Sequence, residues 1–182
     1  MAGEIHPNLK TLVREAIDEL LRSTDGLTAY KFASAQDSPE ATLPTAVISV
    51  LGFSGEQMKG SLVISCERKL LEKSHPNNAM GMPIGDEDIT DWIGELANQM
   101  LGRLKNKITI YGCSFSMSTP TTMSSNGLKL TKPKNGSSLE IRYTGDLGEL
   151  VIHFLAVIDP IFNFDTTQKK MDAKKEGDSI LF

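Results

Sequence analysis

The chain has 182 residues, 40% hydrophobic content and a formal net charge of -4. This length and apolar content suit one domain with a sizeable core. Without a basic excess to neutralise phosphates, general binding to nucleic acid or to an anionic membrane is disfavoured. No stretch approaches the roughly 20 apolar residues of a membrane-spanning helix, and the N-terminus lacks the features of a signal peptide, so we expect a cytoplasmic protein without membrane association.

The first third of the chain predicts one long helix followed by two strands. Apolar residues spaced three and four apart predict an amphipathic helix that begins at Pro7 and ends near 23–26. The β-branched run 45–53 has the length and composition of a buried strand. A hairpin connection at 55–60 leads from it into a second strand at 61–66.

The middle of the chain contains the longest predicted helix. A short helix at 67–73 precedes the segment 74–85, whose breakers predict a loop. The main helix spans 86–106, since three carboxylates at its start suit the positive end of the helix dipole. The pattern at 108–117 predicts a strand, with a bulge at Gly112 where the alternation slips by one residue.

The last third predicts two strands, at 138–143 and 149–157, after a break at 119–122 and a turn at 132–136. Two long amphipathic helices and several strands with short connections predict an α+β fold. In this two-layer arrangement, both long helices pack on one face of a β-sheet.

We expect two parts along the chain. Residues 1–164 form the single domain. Residues 165–182 are rich in charged residues and predict a flexible C-terminal tail.

The sequence lacks the residue patterns that most catalytic sites require. The usual glycine-rich phosphate loops of nucleotide-binding proteins are missing. The three histidines stand at spacings unrelated to those of metal ligands, so no metal site is predicted. The two cysteines, Cys66 and Cys113, lie in apolar runs and predict buried thiols instead of a disulfide or a nucleophile.

The exposed face of the main helix carries residues that helix stability does not explain. Its apolar residues collect into one stripe: Ile89, Trp92, Ile93, Leu96, Ala97, Met100 and Leu104. Asp91, Glu95, Asn98 and Gly102 fall opposite that stripe. Asn is a mediocre helix former, and Gly costs about 1 kcal/mol relative to Ala, so this choice of residues indicates a function.

Glu95 and Asn98 form a polar pair on this face. Residues three apart on a helix have β-carbons roughly 5–6 Å apart, so both side chains can act on one bound object. A carboxamide can orient a water molecule, and a carboxylate can hold a partner's cation. Gly94 and Gly102 would add bare backbone, at which another molecule could approach closely. Glu-x-x-Asn alone is a weak signal, because ordinary residue frequencies often produce it.

The longer context is more specific. The residues Glu95-Leu96-Ala97-Asn98 with Gly102, preceded by Asp91 and Gly94, closely resemble the helix signature of the CheX-like chemotaxis phosphatases, in the wider CheC, CheX and FliY family. Three further segments share the resemblance, which spans roughly 40–158: residues 59–65, 119–121 and 148–152. The resemblance implies a CheC-like α+β fold.

The resemblance also implies an activity, hydrolysis of the aspartyl phosphate of a CheY-type response regulator. The resemblance implies that Asn98 orients the attacking water and that Glu95 pairs with a lysine of the regulator. It also places Asp91, Gly94 and Gly102 in the docking surface. No cofactor is expected on this chain, because the regulator supplies its own Mg2+. CheX-like members are often homodimers joined through the sheet.

Two points stay open from the sequence. The first helix offers only Glu15 and Asp18 at the matching spacing, which makes a second active site doubtful. A non-catalytic regulator-binding or flagellar-switch-like module on the same scaffold is the alternative function. Such a module would keep the strands and lose the polar pair.

Overall fold

A computed structural model describes residues 5–38, 40–162 and 164. Four helices lie in these residues: α1 (Pro7–Ser23), α2 (Arg68–Ser74), α3 (Pro76–Ala79) and α4 (Asp86–Thr109). Seven strands accompany them: β1 (Lys31–Asp37), β2 (Glu40–Ser54), β3 (Met58–Cys66), β4 (Ser116–Met117), β5 (Thr121–Thr131), β6 (Ser137–Gly145) and β7 (Gly148–Ile158). The predicted tail at 165–182 lies outside the described residues.

The described strands form one antiparallel sheet. Their order is β1-β6-β7-β3-β2, and β4 and β5 both pair with the outer side of β2. β4 and β5 follow each other along β2, since Phe53 pairs with Met117 and Val50 pairs with Thr121. The predicted strands at 61–66, 138–143 and 149–157 correspond to β3, β6 and β7.

The core lies between the sheet and the two long helices. Along β7, Leu150, Ile152 and Phe154 belong to the main apolar cluster, which also contains the buried faces of α1 and α4. The alternating residues Val151 and Leu155 belong to a smaller cluster on the other face of the sheet. Both long helices therefore pack on one face, which confirms the predicted α+β arrangement.

Tertiary burial accounts for where α4 ends. Ile108 is fully buried and continues the helical spacing from Leu104, so the helix extends past 106 to Thr109. The predicted strand at 108–117 is therefore wrong, and only Ser116–Met117 is strand. Gly112 adopts a φ of 75° in the turn after the helix, which replaces the predicted bulge.

Two edge strands were missed, and β2 begins earlier than predicted. β1 carries mostly exposed side chains, and β5 alternates apolar and polar residues only near its end, at Leu128 and Leu130. Neither strand therefore shows a full apolar alternation. The predicted loop at 74–85 contains the short helix α3. His75 caps α3, because its Nδ1 accepts a hydrogen bond from the backbone N of Asn77 at 3.0 Å.

A buried polar network occupies the face of the sheet opposite the helices. Glu140 is 3% exposed and His153 is 1% exposed. Arg142 Nε donates to Glu140 Oε1 at 2.6 Å, and His153 Nε2 lies 3.8 Å from Glu140 Oε2. Burial lowers the pKa of His153, Glu140 opposes that shift, and Arg142 adds to it. His153 is therefore neutral in the folded chain near neutral pH.

Acidification should destabilise the fold through His153. Below the ordinary histidine pKa of about 6.5, the unfolded chain binds a proton that the folded chain binds only at lower pH. The contribution of neutral His153 to the free energy of unfolding is therefore complete above about pH 6.5, and it is lost as the pH falls toward the lowered pKa of His153. In urea unfolding between about pH 5 and pH 7.5, His153→Gln should show a flatter pH dependence of the unfolding free energy than the wild type. Equal slopes in both proteins would contradict this assignment.

Candidate functional site

The face of α4 opposite the core is the candidate site. Its apolar stripe is buried as predicted, apart from Trp92, which is half-buried: Ile89, Ile93, Leu96, Ala97, Met100 and Leu104. Asp91 and Glu95 are exposed, while Asn98 and Gly102 are half-buried. The helix thus presents these four residues away from the sheet, because the opposite side is fixed in the core.

Glu95 and Asn98 differ in what they contact. Glu95 Oε1 accepts a hydrogen bond from Gln99 Nε2 at 2.9 Å. The carboxamide of Asn98 makes no side-chain hydrogen bond to any described part of the chain, so its donor and its acceptor are available to another molecule. Sequence reasoning missed Gln99, although its position four residues after Glu95 was the signal that it would contact that carboxylate.

The two glycines of the predicted docking surface have different surroundings. A β-carbon at Gly94 would lie 3.5 Å from Pro120 Cβ and 3.6 Å from Thr122 Cγ2. Gly94 is therefore buried against the start of β5, and its interpretation as backbone open to a partner is wrong. A β-carbon at Gly102 would meet nothing within 4 Å. Gly102 alone keeps the open backbone predicted for this face.

The charge at the site is negative. Asp91 and Glu95 form no ion pair within the described residues, whereas Asp86 at the start of the helix is bound by Arg68 Nη1 at 2.6 Å. Asp88 caps the helix, since its Oδ2 accepts from the backbone N of Gly85 at 2.7 Å. The carboxylates at 91 and 95, like that of Glu87 one turn earlier, are consequently available to a cation on another molecule.

Helix α1 offers no second site of this kind. Glu15 Oε2 lies 3.3 Å from Lys107 Nζ of α4, and Asp18 accepts a hydrogen bond from the hydroxyl of Tyr143. Burial and then the hydrogen bond to Asp18 raise the pKa of Tyr143, which keeps its hydroxyl a donor. Glu15 and Asp18 therefore bind α1 to the rest of the fold.

Other chemistries find no support in the described residues. Cys66 and Cys113 are free and buried, as predicted, and burial raises the pKa of both thiols. Protonated, enclosed thiols are poor nucleophiles. Across 5–38, 40–162 and 164, no cluster of three or more His, Cys, Asp or Glu side chains could hold a metal ion. Over the same residues, no helix has the length and apolarity to span a bilayer.

Comparison with solved structures identifies the same architecture elsewhere. A CheC-like superfamily protein from Shewanella sp. PV-4 matches with a TM-score of 0.73 and 22% identity, over 84% of this chain and 99% of that one. The chemotaxis protein CheX from Vibrio vulnificus matches with a TM-score of 0.73 and 22% identity, over 82% of this chain and 99% of that one. A chain of the CheX-CheY-BeF3-Mg2+ complex from Borrelia burgdorferi matches with a TM-score of 0.60 and 14% identity, over 80% of this chain and 96% of that one.

These matches show that the chain shares its fold with a CheC-like protein and with CheX. The family model for the chemotaxis phosphatase CheX matches residues 47–144, which is more than half of the chain and includes all of α4. The chain belongs to the CheX family of chemotaxis phosphatases. No curated protein matches it significantly.

Replacing Gly102 should stabilise the protein. Ala is favoured over Gly in a helix by about 1 kcal/mol, and its methyl group would meet open space at this position. We expect Gly102→Ala to raise the free energy of unfolding in urea by up to about 1 kcal/mol. Gly94→Ala is the comparison variant: a β-carbon there would make ordinary van der Waals contact with Pro120 Cβ at 3.5 Å, so it should stabilise the helix by a similar or larger amount. A loss of stability in Gly102→Ala would show that this backbone is not open.

Proposed function

We propose that this protein hydrolyses the aspartyl phosphate of a CheY-type response regulator that docks on the exposed face of α4. The observation that carries the proposal is the carboxamide of Asn98, which has no partner in the described chain and lies one helical turn from the exposed carboxylate of Glu95. Membership of the CheX family supports it. The related Borrelia structure, which contains CheX together with CheY, BeF3 and Mg2+, supports the class of partner.

In the proposed reaction, Asn98 positions the attacking water. Hydrolysis of an acyl phosphate depends on alignment of the water with the phosphorus and on neutralisation of charge, more than on covalent help from the enzyme. A carboxamide can accept a hydrogen bond from the water through its oxygen and donate through its nitrogen. Unlike a carboxylate, it adds no negative charge beside the phosphoryl group. The phosphate leaves as inorganic phosphate, and the aspartate of the regulator is regenerated.

Glu95 has a docking role in this proposal. Its exposed carboxylate pairs with a lysine of the regulator and so fixes the distance between Asn98 and the phosphoryl group. Asp91 adds a second negative charge one turn earlier on the same face, and Gly102 allows the regulator to approach the helix backbone. Mg2+ would be held by the regulator, and both proteins would meet in the cytoplasm.

The catalytic test compares each site residue with an exposed residue of the same type elsewhere in the chain. We expect Asn98→Ala to lower kcat for phosphate loss by roughly 100-fold, because the water loses its alignment. Glu95→Ala should mainly raise KM, by roughly tenfold, which corresponds to about 1.4 kcal/mol. The measurement follows phosphate loss from candidate phosphorylated regulators of the same genome, with Mg2+ present.

Asn135→Ala and Glu56→Ala serve as the controls, because both side chains are exposed in turns between strands, outside α4. Wild-type rates are expected for both. If Asn98→Ala were as fast as the wild type, the assignment of the water-orienting residue would be wrong. If the wild type bound a regulator without accelerating phosphate loss, the non-catalytic binding module would be the correct function.

A homodimer joined through the sheet is also proposed. Within the described residues, β5 pairs only with β2, so its outer edge has unpaired backbone groups that a second copy could cover. Apolar side chains along β4 and β5 support this, since Met117 is 39% exposed and Met123, Leu128 and Leu130 are half-buried. Backbone pairing and apolar burial at one edge favour self-association.

Light scattering should give twice the chain mass of 19.9 kDa. We expect Met123→Lys to weaken the dimer at least tenfold, because a lysine at the interface would lose its hydration. Met82→Lys is the control, since Met82 is 51% exposed and lies in the loop before α4, outside the sheet. A monomeric wild type at all concentrations would overturn the dimer.

A further inference from the structure

A cleft of about 630 Å3 lies beside the proposed docking face. It lies between the residues that follow α1, the α2–α3 segment and α4. Trp92 and Gln99 line it from α4, while 73–76 and 78–80 line it from the α2–α3 segment. None of the proposed roles of Glu95 and Asn98 uses this cleft.

Helical geometry makes the cleft and Glu95 neighbours. Trp92 precedes Glu95 by three residues and Gln99 follows it by four, so all three lie on adjacent positions of the helix surface. Gln99 also connects them directly, because its amide both lines the cleft and donates to Glu95 Oε1 at 2.9 Å. A molecule bound to Glu95 would therefore lie next to the cleft.

The walls of the cleft are held in place by internal contacts. Trp92 Nε1 donates to Ser74 Oγ at 3.0 Å, and the ring of His75 meets the Trp92 ring edge-on at a centroid distance of 5.6 Å. The same His75 accepts from the backbone of Asn77 at 3.0 Å. A cleft formed before binding loses little conformational entropy when it is filled.

One side of the rim, formed by Pro76, Ala79 and Met80, is apolar and exposed, while Asp25, Lys73 and Asn78 make the rest of it polar. Met80 lines it and is 63% exposed, beside Pro76 and Ala79. Exposed methionines suit contact with a partner, because the flexible thioether side chain adapts to different shapes. Met82 is exposed to a similar extent, at 51%, but it does not line the cleft, and the left-handed turn at Gly81 separates the two.

We propose that the cleft receives an apolar side chain of the response regulator, next to the regulator lysine that pairs with Glu95. The inference rests on the proposed function and adds a second contact to it. Two observations favour the regulator as the occupant: Trp92 and Gln99 of α4 line the cleft beside the proposed docking face, and Gln99 donates to the Glu95 carboxylate that would bind the regulator lysine. One regulator segment that carries a lysine beside an apolar residue satisfies both parts.

Substitutions in the cleft test this contact by enzyme kinetics and leave Glu95 and Asn98 unchanged. Ala79→Phe fills the cleft and Met80→Ser removes its apolar rim. Each should raise KM for the phosphorylated regulator by about tenfold, since burial of one large apolar side chain is lost, and should leave kcat unchanged. Met82→Ser, the matched control, should leave KM and kcat at wild-type values. Urea unfolding of each variant checks that the fold is intact.

A direct readout of the cleft is also available. Trp92 is the only tryptophan of the chain, so fluorotryptophan labelling gives one fluorine NMR resonance from the cleft wall. A CheY-type regulator loaded with beryllofluoride and Mg2+ should shift this resonance in the wild type. The same addition should shift it far less in Ala79→Phe.

The outcomes separate the two proposals. If no regulator of the same genome loses phosphate faster or shifts the resonance, the proposed function and the cleft contact both fail. If the wild type is active but Ala79→Phe and Met80→Ser keep the wild-type KM, the cleft contact alone fails. If removal of 165–182 shifts the Trp92 resonance without any regulator, the cleft binds this chain's own C-terminal segment, and the regulator is not its occupant.

Discussion

The buried stripe of α4 fixes the rotation of that helix about its own axis, and the position of every candidate site residue follows from this rotation. Ile93, Leu96 and Met100 are almost fully buried against the sheet and α1, so turning the helix would expose several large apolar side chains. Each such side chain stabilises the fold by roughly 1.5–3 kcal/mol when buried. Glu95 and Asn98 are therefore held outward by residues that take no part in any chemistry.

The sequence predicted most where periodicity was strong. Both long helices, the sheet face that they cover and the outward position of Glu95 follow from apolar spacing, because burial of one face decides each of them. The edge strands β1 and β5 could not be found in this way, since a strand paired on one side and exposed needs no apolar alternation. Residue 108 shows the opposite error, because its β-branched neighbourhood favours a strand while its spacing from Leu104 places it in the core as helix.

Site residues were predictable by type but not by environment. Gly94 and Gly102 look alike in the sequence, yet one lies against Pro120 and the other faces open space, because only the tertiary path of β5 distinguishes them. The contact of Gln99 with Glu95 is local and could be inferred from spacing. The cleft behind Gln99 could not be inferred, because it requires α1, α2 and α3 to be placed. Contacts within one helix follow from spacing, whereas surfaces built from several elements do not.

Under the proposed function, the contacts of Glu15 and Asp18 would set how many regulators one chain can serve. Since Lys107 and Tyr143 bind these two carboxylates within the fold, each chain offers one acidic helix face instead of two. Under the proposed function, one chain serves one regulator at a time, and a homodimer serves two. The rate at which the phosphorylated signal is lost would then rise in proportion to the number of chains in the cell, so its lifetime would shorten as expression increases.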